Sequence, residues 1–479
     1  MSKTFLCGLS NLGGFFWIVI IIGLALQTRA LAHIGSPDVF VEGQAGAYRL
    51  FVTVRPPHAI PGVADVDILA TSDDIRDVRI VPLPLTGPGA QFAPVADRAV
   101  RSAEDPRMFT GHLWLMSAGA WQVRVTVAGD RGDGTLSVPV PTLPQSTLAM
   151  SGGLKAALLV LMLLLGAGFV GIVSALYREA GLAAGAALDR PARIRGWIAG
   201  AAAAVIVCGV VFLGNTWWSA EASSYDKYVY KPLGATATVN GDSRLKLYLS
   251  DPGWIASRRL DDFVPDHDHL MHLFVVSPSL DRLWHLHPSE IATGAFEQRL
   301  PDMPQGQYEL FADVVHATGV SETVVGQLNT ASIAGTPLAG DDSAWNEQVV
   351  NNGKIVWVRD GKPLAPKTLT LFTFKVEDAD GQPARDLELY MGMPGHAIFV
   401  RRDRKVFAHV HPSGSAPMAA MNIAMPSDPA HAHHDRAPGA LPSMVTFPFG
   451  FPEPGDYRIF VQVKRAGRVV TGVFDARIP

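Results

Sequence analysis

The chain contains an internal repeat that carries histidines in register. His272, His285 and His287 recur 124 residues later as His396, His409 and His411. The flanks match in form: Trp284-His285-Leu286-His287-Pro288 answers Ala408-His409-Val410-His411-Pro412. One supersecondary unit therefore folds twice, and both copies must accommodate the same polar side chains. The same offset aligns His267 with Met391 and His269 with Met393. Imidazole and thioether thus trade places at matched positions, and copper binding is the chemistry they share.

The repeats extend over residues 225–330 and 345–479, joined by a linker through Ala331–Ser343. Past Pro412 the offset changes to 149, as Pro-x-Gly-x-Tyr at Tyr308 aligns with Pro-Gly-x-Tyr at Tyr457. The second repeat therefore carries an insertion. It holds Met418, Met421, Met425, His431, His433 and His434 and reads as a flexible loop. Alternating strands follow each tyrosine, at Leu310, Ala312, Val314 and at Ile459, Val461, Val463. Short strands with Gly/Pro turns predict β-sandwiches.

Residues 33–145 read as a third, N-terminal β-sandwich. Tyr48–Val54 is β-rich, and Trp121, Val123, Val125 and Val127 alternate with polar partners. Residues 1–32 have the form of a secretory signal, with a thin positive start at Lys3, an apolar run and Ala30-Leu31-Ala32 as a cleavage site; the alternative is an uncleaved anchor. Two later stretches, 156–176 and 196–213, are long and uncharged and fall within a 154–214 membrane hairpin. Arg178, Arg190, Arg193 and Arg195 mark the intervening loop, 177–195, as cytoplasmic. The expected fold class is mainly β: three extracytoplasmic β-sandwich (Ig/cupredoxin-like) domains plus two transmembrane helices. The expected location is the inner membrane with domains facing the periplasm.

A net charge of −4 with no basic face argues against a nucleic-acid partner. The two cysteines, Cys7 and Cys208, fall in the signal and the second span. No disulfide framework or thiolate copper centre fits the exported regions.

The run Met271–His287 folds naturally into a hairpin around Ser277-Pro278-Ser279-Leu280. That loop pairs Val276 with Asp281, Phe274 with Leu283 and His272 with His285. His287 then shares their face. The equivalent hairpin opposes His396 to His409, with His411 beside them. Three imidazoles converge in each repeat, which suits one metal with nitrogens at about 2.0–2.1 Å. His267 and His269, or Met391 and Met393, enter alongside and can complete the sphere. Phe274 and Leu283 share the histidine face, so the alternative is a ladder of packing histidines. Metal binding is favoured, because adjacent imidazoles are costly when cationic and accept a metal when neutral.

Cleavage after Ala32 makes His33 the mature N-terminus, where amine and imidazole chelate Cu(II). Ala32-His33, the short β-rich length and the Tyr48–Val54 strand resemble the copper-resistance CopC family and its YtkA-like/FixH-like relatives. That resemblance implies an exported or membrane-tethered β-sandwich. His58 and His112 are the only other histidines of this domain, and the Met-rich loop of CopC is absent. The repeats, with strands ending in His-x-His-Pro and a later Gly-x-Tyr strand, resemble YtkA-like, cupredoxin-like modules. This resemblance implies a copper or heavy-metal link.

The leading expectation is a membrane-anchored copper-binding protein of metal trafficking or tolerance, with zinc as the alternative ion. His-to-Met exchange would let the first repeat favour Cu(II) and the second tolerate Cu(I). A structural module of an envelope complex, with a protein partner and packing histidines, is the alternative. A metalloenzyme is less favoured, since no nucleophile elbow, HExxH, Walker motif or dinucleotide fingerprint occurs.

Overall fold

The structure, a computed structural model, describes residues 37–183, 185–255, 258–346, 353–425 and 441–479. The expected signal, His33, and the insertion histidines 431, 433 and 434 lie outside these residues. The described chain is mainly β, in sandwiches, with two long apolar helices.

The N-terminal sandwich packs a five-stranded sheet on a four-stranded one. The alternation read at Val123, Val125 and Val127 is a strand, Gly119–Gly129, whose valines are fully buried. They face the core formed with Leu50, Val66, Leu136 and Val138.

Two helices follow, Gly152–Glu179 and Arg190–Tyr225. The second runs well beyond the apolar stretch 196–213, because its Asp189 N-cap and Pro191 start it before the apolar run begins. The helices touch through small residues: Ser174 Oγ donates to Gly196 O at 3.0 Å, and a Cβ at Gly196 would meet Arg178 and Ser174.

The first repeat is one nine-stranded sheet folded over its own core. A single parallel pair, Gly234↔Val325, bridges its two layers. The second repeat packs strands Lys354–Val358, Thr370–Glu377 and Met444–Phe449 on a second sheet that contains His396–Arg401 and Gly455–Arg465. In both, the motif tyrosine bonds back four residues: Tyr308 Oη donates to Pro304 O and Tyr457 Oη to Glu453 O, each at 2.8 Å. This bond accounts for the shared Gly-x-Tyr spacing; its acceptor four residues back is a proline in one repeat and a glutamate in the other.

The histidine hairpins pair two residues out of the expected register. Phe274 lies opposite His285 and Val276 opposite Leu283; Ile398 lies opposite His409 and Val400 opposite Phe407. Continued outward, His272 meets His287 and His396 meets His411. The reason is the loop. Ser277 N donates to Arg282 O at 3.1 Å, so the loop is Pro278–Asp281. Leu280 turns the chain at φ 56°, and Arg404 does the same at φ 62°. Ser277 Oγ bonds Asp281 and its neighbours, which fixes that closure. A shift of two keeps every side chain on its face, so the three-imidazole face survives.

Strand His272–Val276 is buried on both sides. Leu273 and Val275 face the core of their own repeat. Phe274 and Val276 face the other repeat, in a core with Phe311, Ile398, Val400, Phe407 and Phe460. Phe311 and Phe407 stack at 4.4 Å with planes 8° apart. The face read as a candidate core ladder is thus the junction between repeats.

Two segments are more ordered than their composition predicts. The expected linker ends in a strand, Ser343–Asn346, that pairs with Arg282–His285 of the first repeat. The insertion begins as a helix, Met418–Ala424, not a loose loop. Met418 and Met421 enter the core of the N-terminal sandwich, with Met425 packed against it. Their apolar length, absent from the Ala/Pro background around them, supplies the docking energy. Asp266 Oδ1 accepts from Ala419 N at 2.7 Å and caps that helix from the first repeat.

The N-terminal sandwich also grips the second repeat directly. Phe40 enters that repeat's core, Ser415 N donates to Phe40 O at 2.8 Å, and Glu42 N donates to Ser413 O at 2.8 Å. The clamp fixes the loop that follows His411. Gly414 is required there: its φ is 120°, and a Cβ would lie 1.9 Å from Phe40 O.

Candidate metal centre

The repeat junction gathers eight histidines: 267, 269, 272, 285, 287, 396, 409 and 411. In the first repeat, His272 and His285 point from adjacent strands and His287 follows at the strand end. Their ligand nitrogens lie within 4.8 Å of one another, and so do those of His396, His409 and His411. The rings of the two repeats meet across the junction: His272 and His409 are 5.4 Å apart between centroids, and His285 and His409 are 5.6 Å apart.

The outer nitrogen of each of five rings faces an acceptor. His272 Nε2–H donates to Asp266 O at 3.0 Å and His396 Nε2–H to Tyr390 O at 3.1 Å, matched positions in the repeat. His287 Nδ1–H donates to Asp342 Oδ1 at 3.0 Å. His285 Nδ1–H reaches Gln462 Oε1 at 3.0 Å, and Gln462 is held in that sense by donating Nε2–H to Ser343 Oγ at 2.9 Å. His409 Nδ1 lies 3.4 Å from Asp313 Oδ2 of the other repeat.

These partners set the tautomers. With the outer nitrogens protonated, the inner ones carry lone pairs. His272 Nδ1 then faces His285 Nε2 at 3.1 Å, and His396 Nδ1 faces His409 Nε2 at 3.0 Å. Two lone pairs at that distance repel unless a cation lies between them. Nitrogens bonded to one metal at about 2.05 Å and separated by that distance subtend about 95°, an ordinary coordination angle. Among the described residues, His287 Nε2 is buried with no hydrogen-bond partner. Among the described residues, neither ring nitrogen of His411 meets a partner in hydrogen-bonding geometry, although the Ala416 backbone favours its charged form against burial.

Ring spacing gives a second check. A metal–nitrogen bond of about 2.0–2.1 Å puts each centroid about 3.2 Å from the ion, so tetrahedral neighbours stand about 5 Å apart. In the first triad the centroids are 5.4, 5.1 and 4.7 Å apart. In the second they are 5.2, 5.0 and 4.6 Å apart.

Burial holds His272, His285, His396, His409 and His411 well below the ordinary imidazole range, and neighbouring imidazoles reinforce the effect. Burial lowers His287 too, against the pull of Asp342. These rings are neutral bases, the form that ligates metal. Asp313 is pushed up to about 7 by burial, with Thr323 opposing and the Asp266 charge adding.

The remaining expected residues separate. His269 stacks on His287 at 4.0 Å with planes 27° apart, and its Nε2 lies 3.3 Å from Asp341 Oδ2. Met391 and Met393 are buried, and Met393 joins the core of the N-terminal sandwich. His58 bonds Gln145 and His112 bonds Asp65, both at exposed positions.

Residue type and spacing did not single out Asp266, Asp313, Asp341, Asp342, Tyr390 or Gln462. Asp341 and Asp342 had a signal: paired acids in a Gly/Pro linker between histidine motifs. Asp313 and Gln462 sit among alternating apolar residues, where burial of a polar side chain is itself the cue.

Residues 348–479 match a family described as a domain of unknown function (DUF8832). No curated protein matches the chain. Among solved structures, the FN1–FN3 domains of chicken CNTN1 are similar at 8% identity and TM-score 0.14, covering 89% of this chain and 97% of that one. Salmonella alpha-2-macroglobulin reacted with methylamine is similar at 10% identity and TM-score 0.19, covering 93% of this chain and 24% of that one. Trypsin-activated alpha-2-macroglobulin from Escherichia coli is similar at 11% identity and TM-score 0.18, covering 94% of this chain and 24% of that one.

Proposed function

We propose that the chain is a membrane-anchored, extracytoplasmic metal-binding protein that holds copper, with zinc as the alternative ion, between its two repeats. The observation that carries this reading is the pair of inward-facing nitrogens at 3.1 and 3.0 Å, each backed by an acceptor that claims its other nitrogen. Packing histidines would donate to one another in a chain; here the acceptors on the outer nitrogens oppose that arrangement. All donors are imidazole or, at Asp266, carboxylate. Neutral imidazole suits copper and zinc. Burial of the triad rings favours holding and transfer over catalysis.

The membrane part of the reading rests on connectivity. The N-terminal sandwich precedes the helix pair and the repeats follow it, yet Phe40 is in the core of the second repeat. Two crossings return the chain to the side it left, as this packing requires. Trp197 and Trp218 are exposed on the second helix, separated by about 31 Å at helical rise, the thickness of a hydrocarbon core. Aromatic residues favour both interfaces. Arg178, Arg190, Arg193 and Arg195 cluster at the joined ends of the two helices, which supports a cytoplasmic loop and histidines on the other side.

The test is a metal count. The full chain, purified in detergent, stripped with chelator, loaded with Cu(II) or Zn(II) and desalted, retains about two ions per chain, one per triad. His285→Ala with His287→Ala removes one. Retention of no ion by the intact chain overturns the reading.

A further inference from the structure

The two triads are not alike once the entering segments are followed. Asp266–His269 is a tight turn: Asp266 N donates to His269 O at 2.8 Å, and His269 N donates to Asp266 O at 3.0 Å. Its central residues, His267 and Asp268, sit at φ 50° and 69°. Tyr390–Met393 is the same turn, with Met391 and Gly392 at φ 51° and 74°. Such turns favour Asn-Gly or Gly-Gly. A histidine and a methionine at left-handed φ are costly choices, and strain of this kind concentrates at functional sites.

The turn tip aims His267 away from its own triad. Its ring is 6.1 Å from His272 but 4.8 Å from His411 and 5.4 Å from His396. The Asp266, His267 and His411 ligand atoms form a third convergent group. Resting on the metal reading above, we propose that His267, though part of the first repeat, is the fourth imidazole of the second repeat's site. One ion is then held across the junction by His267, His396, His409 and His411.

Most of the spacings suit a shared four-nitrogen sphere, with His411 the ring nearest His267. Five of the six centroid separations among these rings run from 4.6 to 5.4 Å, around the roughly 5 Å of tetrahedral neighbours. His269 does not complete the first site in the same way. A ring stacked on His287 with planes 27° apart cannot aim a nitrogen at the ion that His287 binds. The first site is therefore a three-imidazole site, and the second an all-imidazole site of four.

Two consequences follow. The second site takes a borderline divalent cation, Cu(II) or Zn(II), in preference to Cu(I). That reverses the order expected when each repeat keeps its own entering segment. The ion also ties the repeats together, because its ligands come from both.

The experiment uses the full chain in detergent, with His285→Ala and His287→Ala removing the first site. Zn(II) affinity is read by chelator competition and nitrogen count by Cu(II) EPR. Adding His267→Ala lowers Zn(II) affinity at least about tenfold, the lower edge seen even for groups that merely support a ligand. The coupled nitrogens fall from four to three. If His267→Ala does not fold, His267→Gln serves, since an amide does not replace the imidazole. Unchanged affinity, within twofold, with four nitrogens retained overturns the proposal while the metal reading stands. So does a loss found only when the first site is intact. A wild-type chain that binds no Zn(II) fails the underlying reading instead.

Discussion

Acidification of the metal-free chain should unfold the repeat pair over a narrow pH range. His272, His285, His396, His409 and His411 are buried and held well below their ordinary value of 6.5. Folded, they stay neutral; unfolded, they take protons as pH falls through 6.5. Their contribution is therefore present above 6.5 and lost below it. Between pH 7.5 and 5.5 the five together cost about 7 kcal/mol of stability, the limit in which each stays neutral in the folded chain. Asp313 acts in the opposite direction. Its folded value of about 7 keeps a proton that the unfolded carboxyl, at 3.8, releases. Its stabilisation therefore grows as pH falls through 7, by about 2 kcal/mol over the same interval. The net loss is about 5 kcal/mol, a large fraction of a domain's stability. Urea unfolding followed by tryptophan fluorescence, with chelator present, reads this as a fall in midpoint of about 2 M for a slope of ~3 kcal/mol/M. His272→Gln and His409→Gln should each flatten the dependence. A midpoint that moves by less than 0.3 M between the two pH values would refute the buried-neutral assignment.

Four further outcomes are expected. Zn(II) at a hundredfold excess over its dissociation constant should raise stability at pH 7.5 by about 2.7 kcal/mol per occupied site, and chelator should reverse it. Asp342→Asn leaves His287 in place but weakens its acceptor; metal affinity of the first site should drop about 10- to 100-fold while the second is unmoved, as read by competition in each single-site background. Phe407→Ala empties the stack on Phe311 at the repeat junction and should cost about 3–5 kcal/mol by urea unfolding. Met421→Ala removes a buried side chain from the N-terminal core and should cost about 2–5 kcal/mol while leaving Zn(II) affinity within a few-fold, which competition titration would check.

Much of the fold was legible in the sequence. The period-two valines at 123–127, the Tyr308 and Tyr457 motifs and the uncharged stretches 156–176 and 196–213 each carry a local signal of their own. The six triad histidines were legible too, because face membership survives a register shift of two. The register itself was not, since Ser277 closes the hairpin with its side chain and Leu280 accepts a left-handed φ that its residue type does not advertise. Nor was the junction. A strand such as His272–Val276, apolar on both faces, says that two surfaces are covered but not that one of them meets its own duplicate. His267 and His269 were found by alignment, yet their different destinations depend on a turn geometry shared with Met391 and Met393.

Anomalous diffraction tests the central claim most directly. Crystals of the full chain grown with two equivalents of Zn(II), measured on either side of the zinc edge, should show density at two positions inside the junction. One should lie between His272 Nδ1 and His285 Nε2, and the other between His396 Nδ1 and His409 Nε2. An empty junction with zinc bound only at surface histidines would contradict the account.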